Sequence, residues 1–164
     1  MDTNSKEKMY SKLGFNKEEA SDLAESLNLL LCNYAVVYQK IRNFHWNVVG
    51  PDFFDVHEKL EVEYTVAAEN IDAIAERVRI LGFKPTSTLK EYLETAEVKE
   101  VEGNLDSDRM MEEVVKDYEI LLSFMVDVAD LAGENGDMGT ETMIRAMVIR
   151  TEEKHWMFSA FLAK

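Results

Sequence analysis

The chain has 164 residues, 46% of them hydrophobic and 30% charged, which is enough for one domain with a core of its own. Asp and Glu outnumber Lys and Arg by 32 to 18, and the resulting formal charge of −14 repels nucleic-acid phosphate and attracts cations. The lone Cys32 excludes an internal disulfide, suits a reducing compartment and reads as a small buried apolar residue.

The first stretch, residues 1–15, reads as a short tail ahead of a single domain. It lacks the apolar segment of a signal peptide, so cytoplasmic residence is the expectation. Its lysines, Lys6, Lys8 and Lys12, are diluted by Asp2 and Glu7, which argues against DNA binding. The first helix is predicted from Lys17 to Asn47, with Asn16 and Glu19 forming a capping box. Its apolar stripe is Leu23, Leu27, Leu30, Tyr34, Tyr38 and Ile41. Within it, "YAVVY" is the longest apolar run, far too short to cross a bilayer. "VVGP" then stops the pattern.

A second helix is predicted from Phe53 to Leu81, closed by Gly82. Its stripe is Phe53, Val56, Leu60, Tyr64, Ala67, Ile71, Ile74, Val78 and Leu81, in steps of three and four. The connection from Gly82 to Asn104 holds one short helical candidate, "TLKEYLETA". A third helix starts near Asp106 or Ser107 and ends around "GENG". A fourth runs from near Asp137 to the end, with Met143, Met147 and Met157 read as core filler. Two short turns and one long crossover describe an all-α, ferritin-like four-helix bundle with an extra short helix between its second and third long helices. No repeat or second domain stands out.

The polar residues of the second helix carry the functional signal. With His57 at zero, Glu61 falls at about 40°, Asp72 at about 60° and Glu76 at about 100°, beside an apolar stripe centred near −60°. His57 and Asp72 are about 22 Å apart along the axis, so no ion touches both in one chain. The spacing allows a two-fold antiparallel pairing of this helix with its copy, about a midpoint between Thr65 and Ala68. Each His57/Glu61 end then meets an Asp72/Glu76 end. His45, near the end of the first helix, lies at the level of His57 in a helical hairpin.

A plainer reading uses the same residues. The histidines can be satisfied core or cap groups. Glu61 and Asp72 can be a solvated face, ion-paired to nearby Lys59 and Arg77. A diiron site inside one bundle needs two Glu-x-x-His pairs. This chain offers one, Glu152 with His155, and His155 reads as structural. No phosphate-cradling loop, zinc-type cysteine cluster or nucleophile elbow is present.

"HWNVVGPDFFDVHEKLEVEY…IDAIAERVRILG", together with the "WMFSAFL" ending, resembles the Dps-like mini-ferritins, the DNA-protection-during-starvation family, over nearly the whole chain. The resemblance implies a dodecameric hollow shell that oxidises Fe(II), preferably with hydrogen peroxide, and stores ferric iron. It implies a ferroxidase centre between two-fold-related subunits, with His45, His57 and Glu61 from one and Asp72 and Glu76 from the other. Trp46 matches a nearby electron donor. Asp137 and Glu141 match acidic residues of an iron entrance pore, and Glu58 joins Glu61 in holding ferric ions. Glu61 stands where the family uses Asp, and reaches one methylene farther. Two other readings are a Dps-type shell acting mainly by coating DNA, and a helical scaffold with inert polar residues.

Overall fold

The computed structural model describes residues 13–102 and 104–163. Most of the predicted tail, with Lys6, Lys8 and Lys12, lies outside the described residues. Helix α1 spans Lys17–Asn47, α2 Phe53–Ile80, α3 Leu89–Thr95, α4 Ser107–Glu134 and α5 Met138–Leu162. The boundaries follow from local chemistry. Asn16 accepts from the Glu19 amide at 2.9 Å while the Glu19 carboxylate accepts from the Asn16 amide at 3.0 Å, satisfying two amides that the helix itself leaves open. Thr88 and Glu91 build the same box at α3. The α2 helix ends one residue before the expected Leu81, which becomes its C-cap, and Gly82 follows at φ +90°, a left-handed turn that a side chain would resist.

The long helices form the predicted bundle. The α1 helix packs against α2 and α4, α4 against α5, and the short α3 lies on α1. Leu27, Leu30, Ile41 and Phe44 of α1 meet Leu60, Ile74 and Val78 of α2 and Met110, Leu121 and Met125 of α4 in a fully buried centre. Met147 is buried and Met143 partly so, but Met157 is exposed, contrary to the expectation. Ten residues beyond Met147, it is turned about 80° off that face. Among the described residues no helix is long and apolar enough to cross a membrane.

Two buried charged clusters tie the helices together. Glu63 of α2 takes a bidentate Arg150 of α5 at 2.9 and 3.0 Å and the hydroxyl of Tyr118 of α4 at 2.7 Å. Lys40 of α1 reaches Glu113 and Asp117 of α4 at 3.0 Å. Lys40 lies 3.0 Å from both Asp117 oxygens, yet only Oδ1 receives a hydrogen bond; Oδ2 accepts none.

Candidate metal centre

The α1–α2 hairpin brings His45 and His57 into direct contact. His45 Nδ1 lies 2.8 Å from the backbone oxygen of His57, and His57 Nδ1 lies 2.8 Å from the backbone oxygen of His45. A carbonyl oxygen can only accept, so both Nδ1 atoms carry the proton and donate. In the neutral ring, each Nε2 is left with its lone pair free. The chain thus fixes the tautomer that a metal ligand needs, using only its own backbone.

The rings stack at 3.8 Å between centroids, inclined by 19°. Phe53 stacks on His57 at 5.0 Å, and Tyr64 meets His45 edge-on at 5.2 Å. Glu61, one turn after His57, completes the set: one nitrogen from each ring and a Glu61 carboxylate oxygen lie within 4.8 Å of one another. Stacking constrains what such a set can hold. An imidazole lone pair lies in the ring plane, and two nearly parallel planes do not meet within a bond length of about 2.1 Å. Rings so stacked could each address a separate ion but not share one, and their spacing falls in the range of about 3.5–4 Å found between paired metals.

Asp72 and Glu76 stand at the other end of α2. Both are exposed, and among the described residues neither side chain makes a hydrogen bond or ion pair. Arg77, the sequence-based candidate partner for Asp72, is instead committed to α5, where it donates to Asp137 Oδ1 and, at 2.7 Å, to Thr140 Oγ1. Lys59 pairs with neither carboxylate. The structure therefore gathers His45, His57 and Glu61 but leaves Asp72 about 22 Å and Glu76 about 28 Å from His57 along an unbroken helix.

The remaining candidates are placed as follows. Trp46 follows His45 but points outward, 58% exposed, with the Arg42 guanidinium 4.6 Å from its ring centroid. Glu58 is exposed on α2. Asp137 is buried; it caps α5 through the Thr140 amide at 3.0 Å and pairs with Arg77. Burial pushes its carboxyl up, but the bonds from Arg77 and Thr140 outweigh that and hold it below the usual value. Glu141 keeps partial exposure and pairs with Arg145 at 2.9 Å. His155 lies 3.1 Å from the exposed Glu119.

Sequence reasoning missed Glu63, Arg150, Tyr118 and Lys40, whose contacts set the roll of α2 and α1 behind the site. A signal existed: Glu63 falls at about −120° on the wheel, inside the apolar stripe, where a carboxylate demands a partner. Lys40 likewise sits four residues from both Val36 and Phe44, which are buried.

The ferritin-like domain family matches residues 24–164. General stress protein 20U of Bacillus subtilis (strain 168) is 40% identical over 143 residues, covering 87% of this chain and 99% of that protein. DNA protection during starvation protein 2 of Bacillus anthracis is 38% identical over 138 residues, covering 84% and 94%. Among solved structures, the DPS protein of Vibrio cholerae O1, described as a member of a broad superfamily of ferritin-like diiron-carboxylate proteins, superposes with a TM-score of 0.90 at 36% identity, covering 92% of this chain and 95% of that one.

Proposed function

Because this chain belongs to the ferritin-like family, and within it to the Dps-like mini-ferritins, we propose that it is a ferroxidase and iron store. Two Fe(II) ions are oxidised by one hydrogen peroxide, with two protons taken up, to two Fe(III) ions and two waters. The ferric product is kept inside a hollow dodecameric shell in the cytoplasm. Both electrons leave from one centre, so no hydroxyl radical is released. Hard carboxylate oxygens favour Fe(III), and imidazole suits either oxidation state.

One observation carries the reading: a stacked, tautomer-locked histidine pair beside Glu61, and two unpaired carboxylates displaced along the same helix. A second copy, run antiparallel across α2, brings Asp72 and Glu76 to that pair. A groove of about 570 Å³, lined by Tyr38, Trp46, Ile71, Leu89 and Leu93 among others, supports such pairing. Trp46 adjoins His45 and Ile71 adjoins Asp72, so the groove borders both halves of the centre. Its apolar Leu89, 78% exposed, would be covered by the pairing.

Glu61, Glu58 and the net charge of −14 suit an interior that holds ferric ions. For an entrance pore, Glu141 is the better placed of the two candidates, because the charge of Asp137 is already matched by Arg77. The same negative charge opposes coating of DNA. A gel shift at low salt would reveal that alternative as a retarded band.

The test loads the purified protein anaerobically with two Fe(II) per chain and adds peroxide. Rapid growth of ferric absorbance is expected, reduced at least tenfold in a His57→Ala/Asp72→Ala double variant. An undiminished rate in that variant would remove the ligand assignment, and a parent without any growth would remove the function.

A further inference from the structure

Peroxide takes two electrons, and a centre holding a single Fe(II) can supply only one. The missing electron then comes from whichever oxidisable side chain touches the centre, or a hydroxyl radical escapes. Resting on the ferroxidase reading above, we propose that Tyr64 is that second electron donor, ahead of the neighbouring Trp46.

Contact is the first reason. The Tyr64 ring stands edge-on against His45, with centroids 5.2 Å apart and planes at 77°. Tyr64 in turn meets Tyr38 edge-on, centroids 6.3 Å apart, so a hole placed on Tyr64 has a second phenol within reach. Trp46 makes no ring contact with either histidine among the described residues. Its indole projects to the surface.

Charge is the second reason. The Arg42 guanidinium lies 4.6 Å from the centre of the Trp46 ring. That arrangement is attractive because the ring face is electron-rich. It becomes repulsive once the indole loses an electron, since the immediate product is a radical cation held against a fixed positive charge. A phenol avoids this penalty. Its oxidation releases the hydroxyl proton, here to solvent beside the half-buried Tyr64, and leaves a neutral phenoxyl radical.

The step balances. One Fe(II), one tyrosine, one peroxide and one proton give one Fe(III), one phenoxyl radical and two waters. Iron and tyrosine each lose one electron, and the O–O bond accepts both. A later Fe(II), with one proton, restores the tyrosine and becomes Fe(III). The sum equals the two-iron reaction, reached one ion at a time.

The test loads one Fe(II) per chain anaerobically, adds one equivalent of peroxide, and freeze-quenches samples for electron paramagnetic resonance while a spin trap reports hydroxyl radical. The parent is expected to show a phenoxyl signal that narrows when its tyrosines are ring-deuterated. Tyr64→Phe, which keeps the ring edge on His45 and removes only the hydroxyl, is expected to lose most of that signal and to raise the trapped radical several-fold. Trp46→Phe is expected to keep the phenoxyl signal. Site-specific replacement of Tyr64 by 3-fluorotyrosine, expected to add a fluorine splitting, identifies the residue without removing its hydroxyl. An undiminished signal in Tyr64→Phe, loss of the signal in Trp46→Phe, or a spectrum without fluorine splitting overturns the assignment. Ferric growth in the parent with no phenoxyl signal overturns this inference alone. Absence of ferric growth overturns the ferroxidase reading and this inference with it.

Discussion

His45 and His57 show how much a single residue's chemistry depends on where the backbone sends it. Each ring is locked by the other's carbonyl, so neither spends a second side chain on orientation. Sequence showed that both histidines sit at one level. It did not show the stacking or the tautomer, because those depend on a turn geometry that spacing alone leaves open. The charged residues buried between helices were missed from sequence, and two of them carry predictions. Removing Glu63 strands Arg150 and the Tyr118 hydroxyl in a mostly buried place, so Glu63→Ala is expected to cost about 3 kcal/mol in chemical denaturation. Asp117 behaves differently. Burial, only partly offset by Lys40, raises its carboxyl from 3.8 to about 6. Across that window the folded chain holds a proton the unfolded chain has lost, so this group's contribution to stability falls as pH rises through it. The full effect is on the order of 3 kcal/mol. Denaturation midpoints at about pH 4 and about pH 7 should therefore diverge less for Asp117→Asn than for the parent.

At the scale of elements, the helices were legible because their ends are written in short-range chemistry. The capping box at Asn16, the Gly-Pro stop after α1 and the left-handed Gly82 act within a few residues, and each predicted end lies within a residue or two of the observed one. Where tertiary packing decides, the pattern misled: the methionine spacing of α5 put Met157 in the core, and the structure turns it outward. The cap has a measurable consequence. Asn16→Ala leaves the first-turn amides of α1 without the side-chain acceptor, and is expected to cost about 1 kcal/mol. An Asn16→Ser variant, which can still accept, should restore most of it. In the proposed centre helix α2 bears the greater load, since one unbroken rod carries both His57/Glu61 and Asp72/Glu76. Leu60, fully buried between His57 and Glu61 in sequence, fixes the roll of that rod, and Leu60→Ala is expected to cost about 2–5 kcal/mol.

For the molecule as a whole, the proposed centre is one that a single chain cannot complete. The helical wheel pointed to pairing because ligand types recur at both ends of α2 on one face, at a separation no ion can bridge. The most direct measurement uses two variants that fail for opposite reasons, His45→Ala/His57→Ala and Asp72→Ala/Glu76→Ala, each purified alone and then co-assembled in equal amounts. Random two-fold pairing puts half the chains in mixed pairs, each with one intact and one doubly damaged centre, so about a quarter of the parent's peroxide-driven Fe(II) oxidation should return from two inactive preparations. Co-assembled shells as inactive as the separate variants would contradict a centre shared between chains.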